Sequence, residues 1–125
     1  SGALVAGSHG STFGGNPVAC RAGLALLEAY DSEDIIENCK RSGAHLMAAL
    51  RGLAAKRDDV LKLRGQGLLV GMELDRPARP VVESALAEGL LVNSTADTVL
   101  RFLPPLIISC DEIDEGIDML GRALG

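Results

Sequence analysis

Three places in this chain hold residues whose types and spacing could do chemistry. The first is Gly7-Ser8-His9-Gly10-Ser11-Thr12-Phe13-Gly14-Gly15, directly ahead of Asn16-Pro17. Glycines leave backbone N–H groups open to close approach, and the hydroxyls of Ser11 and Thr12 could donate to a phosphate oxygen. A loop of this make-up before a helix suits an anion. Taken as residues alone it suits a plain Gly/Ser connector equally well, and it matches neither a Walker A loop nor a G-x-G-x-x-G fingerprint. The second place is Arg101, inside the apolar run Val99-Leu100-Arg101-Phe102-Leu103. A charge there is costly unless it is paired or reaches the rim. Its guanidinium fork suits a carboxylate; the plainer alternative is a rim arginine with a packed stem. The third is Glu73, between Met72 and Leu74, which reads as the solvent-facing position of a strand.

The other reactive side chains point away from metals and nucleic acids. Cys20, Cys39 and Cys110 are widely spaced and form no C-x-x-C pair, and His9 and His45 stand far apart, so no metal site is expected. The cysteines are expected as small core residues, reduced, as in a cytoplasmic protein. His45 is expected to pack or to sit at the surface, and His9 to support the loop. With 17 acidic and 12 basic residues the net charge is −5, which argues against a nucleic-acid partner and supplies no polybasic membrane signal. Aromatics are 2% of the chain, so stacking platforms for bases are missing as well. No apolar run approaches the roughly 20 residues of a membrane-spanning helix. Ser1 to Gly7 lacks the basic start of a signal peptide, and the absence of an initiator Met leads to the expectation that the chain is cut from something longer.

These residues need elements to position them. Asn16 at the N-cap and Pro17 at the first helical position open a helix to about Tyr30, rich in Ala19, Cys20, Ala22, Gly23 and Ala25. Asp31-Ser32-Glu33-Asp34 is expected to open a second helix, with an apolar stripe through Ile35, Ile36, Cys39, Leu46, Met47, Leu50 and Leu53. From Val60 the period changes to alternation, predicting a strand to Arg64, a turn at Gly65-Gln66-Gly67 and a second strand from Leu68 to Leu74, paired as an antiparallel hairpin. A short helix from Val81 to Glu88 stops at Gly89. Leu90–Asn93 and Val99–Leu103 read as two more strands, the latter ended by Pro104-Pro105. Asp111 to Leu124 is a last amphipathic helix whose acids form a solvated face. The order predicts an α+β domain, a small, mostly antiparallel sheet with helices on one face.

At this level of detail the chain resembles a known family. Residues Gly7 to Cys20 look like the stretch after the cofactor lysine in class-III, fold-type-I aminotransferases, and the wording Gly-Ser-His-Gly-Ser-Thr is most similar to the acetylornithine type. Arg64-Gly65-Gln66-Gly67-Leu68-Leu69-Val70-Gly71-Met72-Glu73-Leu74 resembles the family's small-domain hairpin, and Leu100 to Ile108 resembles its late strand. The last two blocks are shared with ornithine and other ω-aminotransferases. The blocks fall in the family's order and cover nearly the whole chain.

The resemblance implies the C-terminal portion of such an enzyme: residues 1–16 as a loop at the cofactor phosphate, 17–30 as a linking helix and 31–125 as the C-terminal small domain. It implies that Thr12 hydrogen-bonds the phosphate of pyridoxal 5'-phosphate held by a neighbouring subunit, hence a homodimer. It implies that Ser11 stands at the acyl-substrate end and that Arg101 holds the α-carboxylate of glutamate or 2-oxoglutarate, the amino donor being N-acetylornithine, as in arginine biosynthesis. The family's Schiff-base lysine lies upstream, and Lys40, Lys56 and Lys62 have none of its context. No catalytic residue is therefore assigned, and the chain as given is expected to be inactive as a transaminase. The alternatives are another ω-aminotransferase, acting on ornithine, 4-aminobutyrate or succinyl-diaminopimelate, or a stand-alone domain for binding or dimerisation.

Overall fold

The structure, a computed structural model, describes residues 10–125. His9 and the first part of the glycine-rich loop lie outside the described residues. The chain divides into two compact units, Ser1–Asp34 and Ile35–Gly125.

In the first unit, helix α1 spans Pro17–Ser32. Asn16 caps it as expected: the Asn16 side chain accepts from the backbone N–H of Ala19 at 2.9 Å, with proline behind it in the first turn. The helix runs further than its small-residue pattern suggests. Asp31 and Ser32 belong to its last turn and do not open the next helix. The Ser32 hydroxyl donates to the carbonyl of Glu28, a back-bond that holds a serine inside a helix. Asp34, at φ 54°, then breaks the backbone before Ile35. No residue of α1 is buried.

The second unit contains helices α2 (Ile35–Ala54), α3 (Arg79–Ala87) and α4 (Cys110–Leu124) and strands β1 (Val60–Gln66), β2 (Leu69–Leu74), β3 (Asn93–Thr95) and β4 (Val99–Phe102). The four strands form one sheet in the order β1-β2-β4-β3, antiparallel throughout. Alternation decides its two faces. Leu63, Met72, Leu100 and Ser94 stand in one cross-strand row. Met72 and Leu100 of that row, with Val70 and Leu74, meet Leu46 and Leu50 of α2, Val81 of α3 and Ile113, Leu120 and Leu124 of α4. The helices thus lie on one face, as the α+β reading expects.

Local chemistry explains where the elements stop. The hairpin turn is only Gly67-Leu68, because Gly65 and Gln66 pair with Val70 and Leu69. A Cβ on Gly65 would come within 2.4 Å of the Leu69 carbonyl oxygen, so the strand tolerates only glycine there. Gly67 takes φ 55°, the positive value that the first turn position of a type II′ hairpin requires. Beneath it, a Cβ on Gly43 of α2 would strike the Gly67 backbone at 2.5 Å, so helix and turn meet backbone to backbone. The strand expected over Leu90–Asn93 is displaced to Asn93–Thr95. Its beginning is claimed by the end of α3: Gly89 turns at φ 91° and the Leu90 N–H donates back to the Ala85 carbonyl. Leu90 then packs on the core, and Leu91 is exposed.

Of the three cysteines only Cys39 meets the core, half-buried at its edge. Cys20 is exposed on α1, which buries no residue, and Cys110 is half-buried at the first position of α4. Asp114 is not purely solvated either, since it meets His45 of α2 at 2.6 Å. Glu112 belongs to a capping box with Ser109, accepting from the Ser109 N–H at 2.9 Å and its hydroxyl at 2.8 Å. Those donors hold its carboxyl below the usual range.

One charged cluster ties the end of α4 to the first strand. Asp59 receives Arg57 Nε at 2.8 Å and Arg76 Nη2 at 3.0 Å. Both arginines also donate to the Leu124 carbonyl, and Arg57 to that of Gly125. The hydrogen bonds from Arg57, then those from Arg76, lower the Asp59 carboxyl from 3.8 to about 2. Its folded value lies below the unfolded one, so its stabilisation is present above about pH 4 and is lost as pH falls towards 2. With partial solvent screening the contribution is about 1 kcal/mol. We predict that Asp59→Asn lowers the thermal midpoint at pH 7 and that the difference from the native chain shrinks between pH 4 and pH 2. Calorimetry across that range checks it; a difference independent of pH would refute the assignment.

Candidate functional site

The sheet's second face carries no helix of the second unit's core. Along it the register sets Arg64, Gly71, Arg101 and Asn93 in one row, with Lys62, Glu73, Val99 and Thr95 in the next. The strand that buries Leu100 therefore presents Arg101 on the opposite side by the two-residue period alone. Arg101 is exposed and, among the described residues, enters no ion pair. It is a cation on an inner strand with its donors unspent. Glu73 on the same face is engaged, accepting from Arg64 Nη1 at 2.7 Å. Both residues singled out in these strands thus stand on the open face, and only one is satisfied within the unit.

Arg101 also borders an apolar recess of about 560 Å³, walled by Leu91, Leu103, Pro105, Ile108 and Ile117. Asn93, opposite Arg101 on β3, and Glu112 of α4, whose carboxylate is held by Ser109, are the other polar side chains on its lining. A carboxylate held by Arg101 would lie beside apolar surface, where a bidentate pair gains over bulk water.

The segment after β4 walls the recess beside Arg101, and residues not singled out from the sequence hold that segment. Asn38 Nδ2 donates to the carbonyls of Leu106 and Ile108, at 2.9 and 3.1 Å. The hydroxyl of Ser42, a fully buried side chain, donates to the Ile108 carbonyl at 3.0 Å. Pro104 and Pro105 have no N–H to extend the ladder, so these straps from α2 replace sheet bonds in fixing the exit from β4. A serine within the apolar stripe of α2 was the only sequence signal for this.

Ser11 and Thr12 lie in the first unit, at the head of α1. The Gly14 N–H donates to Ser11 Oγ at 2.8 Å, and a Cβ on Gly14 would collide with that side chain. Asn16 closes the turn by donating from Nδ2 to the Phe13 carbonyl at 2.8 Å. Ser11 is thus an acceptor within the loop and keeps its O–H, while Thr12 is exposed and makes no hydrogen bond among the described residues. Two hydroxyls beside a helix start suit the edge of a phosphate site. The loop and Arg101 belong to different units. Lys40 on α2, Lys56 just after it and Lys62 on β1 are all in the second unit. Among the described residues no group of three His, Cys, Asp or Glu could hold a metal ion, and no helix is long and apolar enough to cross a membrane.

Comparison with known proteins gives the family and the fold. The model of the class-III aminotransferase family matches residues 1–124. Acetylornithine aminotransferase 1 of Bordetella pertussis is 46% identical over 96% of this chain, which covers 30% of that protein. Ornithine aminotransferase of Halalkalibacterium halodurans is 42% identical over 95% of this chain and 29% of its own length. The crystal structure of acetylornithine aminotransferase from Elizabethkingia anophelis superposes with a TM-score of 0.85 at 28% identity, covering 96% of this chain and 31% of that one. The chain spans about 30% of these relatives' length, and across that span the match of sequence, fold and element order shows that it belongs to the class-III aminotransferases.

Proposed function

We propose that this chain is the C-terminal part of a pyridoxal-phosphate-dependent transaminase that moves the terminal amino group of N-acetylornithine to 2-oxoglutarate. The observation that carries the reading is Arg101, a guanidinium without an ion pair among the described residues, on the sheet face opposite the helices, in a chain similar to acetylornithine aminotransferases. The bound cofactor supplies an electron sink for the carbon that gains or loses the amine. The chain's own residues bind and orient around it. Arg101 clamps the α-carboxylate of 2-oxoglutarate or glutamate through its fork. Thr12 donates its hydroxyl to the cofactor's phosphate, and Ser11, held by Gly14, borders the acyl end of the donor. Thr12 serves a cofactor centred on the neighbouring subunit, so the working form is a homodimer, placed in the cytoplasm.

Ornithine is the second reading for the donor, favoured by the 42% identity to an ornithine aminotransferase. Kinetics of the holoenzyme containing this chain separate the two. We expect kcat/KM for N-acetylornithine to exceed that for ornithine at least tenfold; the reverse order would move the assignment to ornithine. Arg101→Ala is expected to raise KM for 2-oxoglutarate roughly 100-fold, since a charge-assisted bidentate contact is worth about 2–3 kcal/mol. An unchanged KM would remove Arg101 from the carboxylate site.

The 125-residue chain by itself is proposed to be inactive, because none of its three lysines, Lys40, Lys56 and Lys62, has the sequence context of the family's Schiff-base lysine. Incubation with pyridoxal phosphate and then borohydride should label its lysines weakly and without preference. Saturable labelling of one lysine would overturn this.

A further inference from the structure

The open sheet face sets a problem that the reading of Arg101 as a carboxylate clamp does not address. Arg64 and Arg101 stand on either side of Gly71 in the same cross-strand row. Glu73 lies two residues further along β2, on the same face, and is thus the diagonal neighbour of both arginines. Diagonal neighbours are about 7–8 Å apart at their backbones, within reach of long side chains. The one carboxylate on this stretch of β2 has three cations to choose between, the two diagonal guanidinium groups and the Lys62 ammonium directly opposite. Its choice decides whether Arg101 is available to a substrate.

In the structure Glu73 takes Arg64, at 2.7 Å. The local shape favours that choice. Gly71 has no side chain, and Arg64 Cγ lies 3.8 Å from where a Cβ would sit, so the arginine stem lies across the glycine towards Glu73. On the other flank Val99 stands opposite Glu73, with its Cγ1 3.3 Å from the same point, an apolar side chain beside the Arg101 approach. Lys62, opposite Glu73 on β1, makes no ion pair with it among the described residues.

We propose that Arg64 is a positioning residue that occupies Glu73 and so keeps Arg101 unpaired for the substrate carboxylate. Without Arg64, Glu73 turns to Arg101 and becomes an internal competitor of the acceptor. The inference rests on the proposed role of Arg101. It differs from a structural role for the pair, because removing both partners leaves Arg101 as available as before.

The test is a double-mutant cycle in the holoenzyme containing this chain. Arg64→Gln is expected to raise KM for 2-oxoglutarate about threefold to tenfold with kcat unchanged, the scale of a part-exposed ion pair. Glu73→Gln in the Arg64→Gln background should bring KM back to within about twofold of native, and Arg64→Lys, which keeps the pair, should behave as native. A KM that stays high in the double variant would assign Arg64 a packing role and overturn the proposal, as would an unchanged KM in Arg64→Gln. A crystal structure of Arg64→Gln reads the same point without activity. Glu73 within hydrogen-bonding distance of Arg101 supports the proposal, and Glu73 turned to Lys62 or to solvent refutes it. A native holoenzyme inactive with every carboxylate acceptor would instead remove the function reading, leaving the crystallographic arm to decide this one.

Discussion

The pairing of β2 with β4 is the constraint on which the rest of the second unit depends. These inner strands place Met72 against Leu100 and Gly71 against Arg101. Met72 and Leu100 are fully buried under the helices, whereas Gly71 and Arg101 lie on the open face. One register therefore sets both the core and the face on which Arg101 stands. A slip of one residue would send Arg101 into the apolar layer and Leu100 to solvent, a loss large enough to specify the pairing strongly.

Around this pair the fold resolves its polar groups locally. Among the described residues no buried side-chain nitrogen or oxygen lacks a partner. Ser42 and Asn38 serve the carbonyls after β4, Asp59 gathers two arginines beside the last carbonyls of α4, and the capping box of Ser109 and Glu112 starts that helix. On the open face of the sheet Arg101 and Lys62 both stand without an ion pair among the described residues, whereas Arg64 and Glu73 hold each other.

Much of this was legible in the residues because its causes are short-range. The Asn16-Pro17 start, the Gly89 stop, the alternation of the hairpin and the amphipathic pattern of α4 each arise from a few neighbouring side chains, and each is present. The mistakes come where a competing hydrogen bond outranks local preference. Leu90 to Val92 has strand composition, but the cap of α3 uses the Leu90 N–H first. Asp31 and Ser32 look like a helix start, yet a serine back-bond extends α1 through them. The roles of Arg64, Asn38 and Ser42 were hidden for another reason. Each acts on a partner 9 or about 70 positions away, and only the folded register or the α2 straps bring them together.

Those straps carry an implication for how this segment can vary in length. Asn38 and Ser42 are one turn apart on α2, and Gly43 beside them admits the backbone of Gly67. Adding or removing one residue in this turn would rotate the remainder of the helix by about 100°. The hydroxyl would leave the Ile108 carbonyl, and a side chain would enter the space that Gly43 keeps clear. Insertions and deletions should therefore be excluded from residues 38–43 across sequences sharing this fold, however freely its exposed loops change in length.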